Sequence, residues 1–131
     1  VIHSGSRGVG HKIATHYMKS ASGFDSDFEK THSLDVTSKN GVEYLSVLKF
    51  GLEFALLNRL EMAYRVCDSL QSVLDISELE FEMWVNKNHN HCIKEANYFV
   101  HRKGATPAKL NERGVIPANM RDGCFLVRGL G

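Results

Sequence analysis

Five short runs of this sequence hold side chains able to do chemistry. The first is His3-Ser4-Gly5-Ser6-Arg7-Gly8, where an imidazole precedes a glycine-rich turn into a helical pattern. Glycines let backbone amides approach an anion, a helix N-terminus adds positive potential, and a guanidinium grips phosphate through two parallel hydrogen bonds. It is not a P-loop, which needs Gly-Lys-Ser/Thr. Nor is it a dinucleotide fingerprint, since Ile13 stands where the third glycine belongs. An ordinary strand-to-helix turn is the competing reading. The second run is Asn88-His89-Asn90-His91-Cys92; in extended backbone His89 and His91 share a side. Paired imidazoles beside a thiol suit Zn²⁺ or Mn²⁺, against the alternative of two half-exposed histidines. The third, His101-Arg102-Lys103-Gly104-Ala105-Thr106, is either a phosphate contact or a solvated basic loop. The fourth, Gly114 to Gly123, holds Pro117, Asn119 and glycines suited to a ligand-cradling turn. The fifth is Asn58-Arg59, whose guanidinium falls on an otherwise apolar stripe, so it faces a polar cleft or snorkels to the surface.

Local pattern indicates which elements position these runs. Val1-Ile2 reads as the end of a buried strand, followed by a helix from His11 to about Ser20. The segment from Ser22 to Asn40 is polar and aperiodic, a surface connection with at most a helical turn. From Val42 to about Val73, Leu45, Leu48, Leu52, Ala55, Leu56, Met62, Ala63, Val66 and Leu70 recur at three-and-four spacing. This predicts a long helix, with room for one break, burying one stripe. Phe81–Asn86 alternates like a strand, Asn97–His101 and Cys124–Val127 are β-rich, and Gly114-Val115-Ile116 precedes a proline turn. Helices clustered before strands predict an α+β fold, a mixed β-sheet core with a long amphipathic helix, forming one domain or a slice of one over residues 1–131.

The 131 residues carry 16 Lys+Arg, 15 Asp+Glu, 43% apolar residues and two prolines, a composition that excludes disordered and collagen-like chains. No run of about 18 apolar residues is present to span a bilayer. Charge is segregated: both ends are basic, while residues 23–100 hold seven bases against thirteen acids. Clustered positive charge suits a phosphate-bearing partner. The three cysteines, Cys67, Cys92 and Cys124, form neither a disulfide framework nor a CxxC site, which points to a reducing, cytoplasmic setting. Val1 is preceded by no initiator Met and opens no targeting pattern, so the chain reads as a piece of something longer.

Taken in order, His3-Ser4-Gly5-Ser6-Arg7-Gly8-Val9-Gly10, Leu57-Asn58-Arg59, His89-Asn90, Arg102-Lys103-Gly104-Ala105 and Ile116-Pro117-Ala118-Asn119-Met120 resemble the RtcB family of RNA-splicing ligases. The likeness runs from Val1 to the closing Arg128-Gly129-Leu130-Gly131. It implies GTP-dependent joining of RNA ends bearing a 3′-phosphate or 2′,3′-cyclic phosphate to 5′-hydroxyl ends, in tRNA splicing or RNA repair, with two Mn²⁺ ions at a complete site. In such enzymes a histidine attacks the α-phosphate of GTP and passes the guanylyl group to the RNA. By resemblance His3 and His89 are metal ligands. The GTP site takes His89, Asn90, Pro117, Ala118, Asn119, Met120 and Cys124, while Arg7, Arg59, Arg102 and Lys103 bind phosphate or RNA. Ala118-Asn119 replaces the family's usual Gly-Ser and Cys124 replaces a serine, marking a divergent branch.

The family's guanylylated histidine lies in a His-Gly-Ala-Gly run, and none of the seven histidines here precedes Gly-Ala-Gly. Its Asp-x-Gly-Cys metal motif is absent as well. The resemblance thus places no catalytic residue in this chain, which is expected to be inactive alone. The rival reading is a non-catalytic RNA- or metal-binding remnant of the same scaffold, and a second rival is a zinc hydrolase using His89, His91 and Cys92.

Overall fold

A computed structural model of the chain describes residues 1–23 and 31–131. The element order is α1 (Val9–Ser22), α2 (Lys39–Leu74), β1 (Asn90–Glu95), β2 (Tyr98–Lys103), β3 (Arg113–Ile116) and β4 (Phe125–Arg128). The α+β class expected from the sequence is the one observed. The strands, however, form two separate antiparallel pairs, β1 with β2 and β3 with β4, in place of a mixed sheet. The chain divides into two compact units, one of Ser4–Asn58 and the other of Val1–His3 with Arg59–Gly131.

In the Ser4–Asn58 unit, α1 begins at the glycine-rich turn. Arg7 and Gly8 both take positive φ, 52° and 94°, a left-handed step that glycine adopts freely and arginine does not. The Ser6 hydroxyl accepts from the Gly10 amide at 2.9 Å, satisfying one of the donors a helix start leaves open. At the other end the Gly23 amide donates to the Lys19 carbonyl. Ahead of α2, the Asp35 carboxylate accepts from the Thr37 amide and hydroxyl at 2.8 and 2.7 Å, which holds its pKa below the ordinary carboxylate value. Ser38 accepts from the Gly41 amide at 3.1 Å and caps the helix. Ile13 lies over Gly51, Tyr17 meets Tyr44 at 4.9 Å between ring centroids, and Asn40 donates to Ser20. The surface connection expected over Ser22–Asn40 falls partly outside the described residues.

Helix α2 runs 36 residues without the break the sequence left room for. In the other unit its continuation from Arg59 meets the irregular segment that precedes β1. Tyr64 packs edge-on against Phe81 at 5.2 Å, and the Arg113 guanidinium lies 5.3 Å from the Trp84 ring. Two strands predicted from sequence are not strands: Val1-Ile2 and Phe81–Asn86 are both irregular. Alternation in Phe81–Asn86 is not enough for a strand, which also needs a neighbouring backbone to complete a ladder. Burial here does not follow it, since Met83 is exposed while Trp84 and Asn86 are half-buried. Here side chains hold the segment instead. No helix among the described residues is long and apolar enough to cross a membrane.

Candidate metal and nucleotide site

The unit containing Val1–His3 and Arg59–Gly131 brings two imidazoles together across 86 positions of sequence. The Nε2 atoms of His3 and His89 lie 3.1 Å apart, and the rings meet edge-on with centroids 5.1 Å apart. Two nitrogens on one ion at bond lengths of about 2.1 Å and angles between octahedral and tetrahedral are separated by about 3.0–3.4 Å. The observed spacing falls in that interval, so the pair fits two adjacent positions of one coordination sphere. The sphere is not completed here: among the described residues no group of three or more His, Cys, Asp or Glu is placed to hold an ion.

His89 is fixed from three directions. Its carbonyl accepts from the Ala105 amide at 3.0 Å, and Asn90 Oδ1 accepts from the Gly104 amide at 2.9 Å, tying both residues to the turn that follows β2. Upstream, Arg59 on α2 donates through Nε to Asn86 Oδ1 at 2.7 Å and through Nη2 to Asn88 Oδ1 at 3.0 Å. Burial lowers the pKa of this guanidinium, and charge-assisted bonds offset the cost of desolvating it. Between the two asparagines, Lys87 donates to Glu112 Oε1 at 2.7 Å. The Lys87 bond and a second from the Lys109 amide hold the Glu112 pKa below its ordinary value. Sequence pattern leaves Arg59 either facing a polar cleft or snorkelling to the surface and identifies none of its partners; the structure sets it against two asparagine oxygens. The period-two spacing of Asn86 and Asn88 was the signal available.

The rest of the Asn88–Cys92 run behaves differently. His91 is buried on β1 and neither of its ring nitrogens has a hydrogen-bond partner among the described residues. It pairs in register with Arg102 on β2, while Cys92 pairs with His101. Burial pushes the Cys92 thiol pKa up, away from the thiolate a zinc site needs. Protein around the His101 ring, and then His91, lower the pKa of His101. His89, His91 and Cys92 therefore do not form the three-ligand site that the zinc hydrolase reading requires.

Arg102 pairs through Nη2 with Glu95 at 2.6 Å, and its Nη1 is buried without a partner among the described residues. Lys103 ends the same strand and is exposed. Pro117, Ala118, Asn119 and Met120 lie between β3 and β4. Asn119 shapes that loop: its Oδ1 accepts from the Arg121 and Asp122 amides, both at 2.9 Å, and its Nδ2 donates to Asp122. Gly123 closes the turn at φ 76°, a left-handed value suited to glycine. Pro117, Ala118, Met120 and Cys124 are all exposed. Arg7 lies in the Ser4–Asn58 unit at the start of α1, where Asn58 donates to the Ser4 hydroxyl and the Gly5 carbonyl.

Comparison with known proteins gives a consistent answer. The family described as tRNA-splicing ligase RtcB matches residues 1–131. The chain is 34% identical to RNA-splicing ligase RtcB1 of one Escherichia coli strain and 33% identical to RNA-splicing ligase RtcB of Escherichia coli K12. Each match spans all of this chain and 36% of the relative. Against tRNA-splicing ligase RtcB of Nanoarchaeum equitans it is 30% identical, over 98% of this chain and 32% of the relative. The chain thus spans about a third of the length of the curated relatives it matches. No solved structure gives a significant match. With the match extending over every residue, the chain belongs to the RtcB family of tRNA-splicing ligases.

Proposed function

We propose that this chain forms part of the active centre of a GTP- and manganese-dependent RNA ligase. Such an enzyme joins a 3′-phosphate or 2′,3′-cyclic phosphate end to a 5′-hydroxyl end. The observation that carries the reading is the 3.1 Å approach of His3 Nε2 to His89 Nε2. Both nitrogens would hold one Mn²⁺, which when bound neutralises crowded phosphates and lowers the pKa of a nucleophile. A hydrogen bond between two Nε2 atoms needs one protonated and one bare nitrogen, whereas an ion needs both bare. The shared proton must therefore move off Nε2 on loading, to Nδ1 of the same ring, so that both imidazoles present a bare Nε2.

In this reading Asn90, the Pro117-Ala118-Asn119-Met120 turn and Cys124 line the nucleotide. Arg7, Arg102 and Lys103 supply contacts to phosphate or RNA. Arg59, expected among them, differs in that two of its nitrogens already donate to asparagine oxygens. The guanylyl-accepting histidine is contributed from outside these 131 residues.

Titrating Mn²⁺ into the chain while recording imidazole NMR signals tests the reading. His3 and His89 are expected to broaden together and ahead of the other five histidines. Equal broadening of all seven would remove its basis. Arg7→Ala in a family-length protein carrying this segment is expected to lower RNA joining by about 10- to 100-fold, the worth of one charge-assisted phosphate contact. Loading of labelled GTP is expected to change little. Equal loss of both steps would contradict an RNA-directed role for Arg7.

A further inference from the structure

We propose that Arg59 is a positioning residue for the His3–His89 pair, acting through Asn86 and Asn88 rather than by touching a phosphate. The inference rests on the metal-site reading above and adds the device that holds one of its ligands in place. Arg59 donates from one edge of its planar group, Nε to Asn86 and Nη2 to Asn88, at 2.7 and 3.0 Å. A rigid fork of this kind fixes two acceptors relative to each other, which a lysine ammonium on its flexible stem does not. The acceptors lie two residues apart and meet the same guanidinium, so both asparagine side chains lie on one side of the chain here. Lys87, between them, reaches Glu112 at 2.7 Å.

His89 follows Asn88 directly, so the guanidinium sets where the backbone delivers the imidazole. On the far side the Ala105 and Gly104 amides fix His89 and Asn90. The segment Phe81–Asn86 has no strand ladder to locate it, and α2 is the rigid element available for the task. Supporting groups behind metal ligands commonly set ligand orientation, and their loss costs about 10- to 100-fold in metal affinity.

The test uses Arg59→Lys, which keeps the charge and loses the fork, in the full 131-residue chain. Without metal, the His89 ring signals are expected to shift and the ring-to-ring nuclear Overhauser effect with His3 to weaken, while far-ultraviolet circular dichroism keeps its helical intensity. With Mn²⁺, the apparent affinity read from His3 and His89 broadening is expected to fall by about 10-fold. Adding Asn88→Ala to Arg59→Lys is expected to cost little more, because both changes break one linkage. Unchanged His89 signals and unchanged Mn²⁺ affinity in Arg59→Lys would overturn the proposal, as would losses that simply add. If Arg59→Lys loses helical signal, Asn88→Ala alone carries the test with the same two outcomes. A wild-type chain that shows the His3–His89 contact but no Mn²⁺ response refutes the metal reading. The metal-free His89 signals then decide the role of Arg59.

Discussion

His89→Ala is expected to lower RNA joining by more than about 100-fold in a family-length protein carrying this segment. That figure is the upper range for supporting groups behind a metal, and a direct ligand exceeds it. In the 131-residue chain the same substitution should abolish the selective Mn²⁺ broadening of His3. The effect should be confined to the imidazole, because the bond from the Ala105 amide is accepted by the backbone carbonyl of residue 89 and survives the change. The control is His91→Phe two residues on. That ring is buried with no partner for either nitrogen among the described residues, so an apolar ring of similar size leaves no polar group stranded. Its Mn²⁺ response should match wild type. A His89→Ala protein that joins RNA at the wild-type rate would remove His89 from the site, and loss of response in His91→Phe would move the site to β1.

The contrast between these two histidines shows how far sequence alone reaches. Asn88-His89-Asn90-His91-Cys92 presents two imidazoles at alternate positions, and extended geometry would put both on one side. In the structure β1 begins only at Asn90, so His89 precedes the ladder and is free to meet His3, while His91 is committed to the register opposite Arg102. Resemblance singled out His89; spacing could not, because the partner that distinguishes it lies 86 residues away. The same holds for Phe81–Asn86. Its period-two pattern was legible, but such a pattern says nothing of whether a backbone partner exists, and without one Trp84 and Asn86 are half-buried while Met83 is exposed. Both helices and strands β2, β3 and β4 were legible because their signals are local, β-rich runs flanking turns and apolar recurrence at three-and-four spacing. Strand β1 was not, because Asn90–Glu95 is mostly polar and is a strand through its pairing with β2. Arg59 was legible as an anomaly on that stripe, and its asparagine partners were not, since long-range side-chain pairing leaves no periodic trace.

Heat-capacity measurement is expected to show an unfolding ΔCp for the isolated chain about a fifth below the value usual for its length. An ordinary domain of 131 residues gives about 1.6–2.0 kcal/mol/K, at about 12–15 cal/mol/K per residue. The term arises from apolar surface removed from water on folding, and this chain removes less than is usual for its mass. Ala55 is its one buried apolar side chain among the described residues, and 10171 Å² stays accessible where a folded monomer of this mass exposes about 7,000 Å². The shortfall is concentrated on α2. The predicted stripe is half-buried or buried at Leu45, Leu48, Leu52 and Ala55, but further along Met62, Val66 and Leu70 are 39%, 50% and 42% exposed. Periodicity specifies which face of a helix is made for burial, whereas burial itself needs something set against that face. The curated relatives are nearly three times as long, and in a protein of that length ΔCp per residue is expected to return to the ordinary range with Met62, Val66 and Leu70 protected from exchange in their backbone amides. A chain that melts alone with ordinary ΔCp, with calorimetric and van't Hoff enthalpies agreeing and no dependence on protein concentration, would show that its apolar surface closes without further polypeptide.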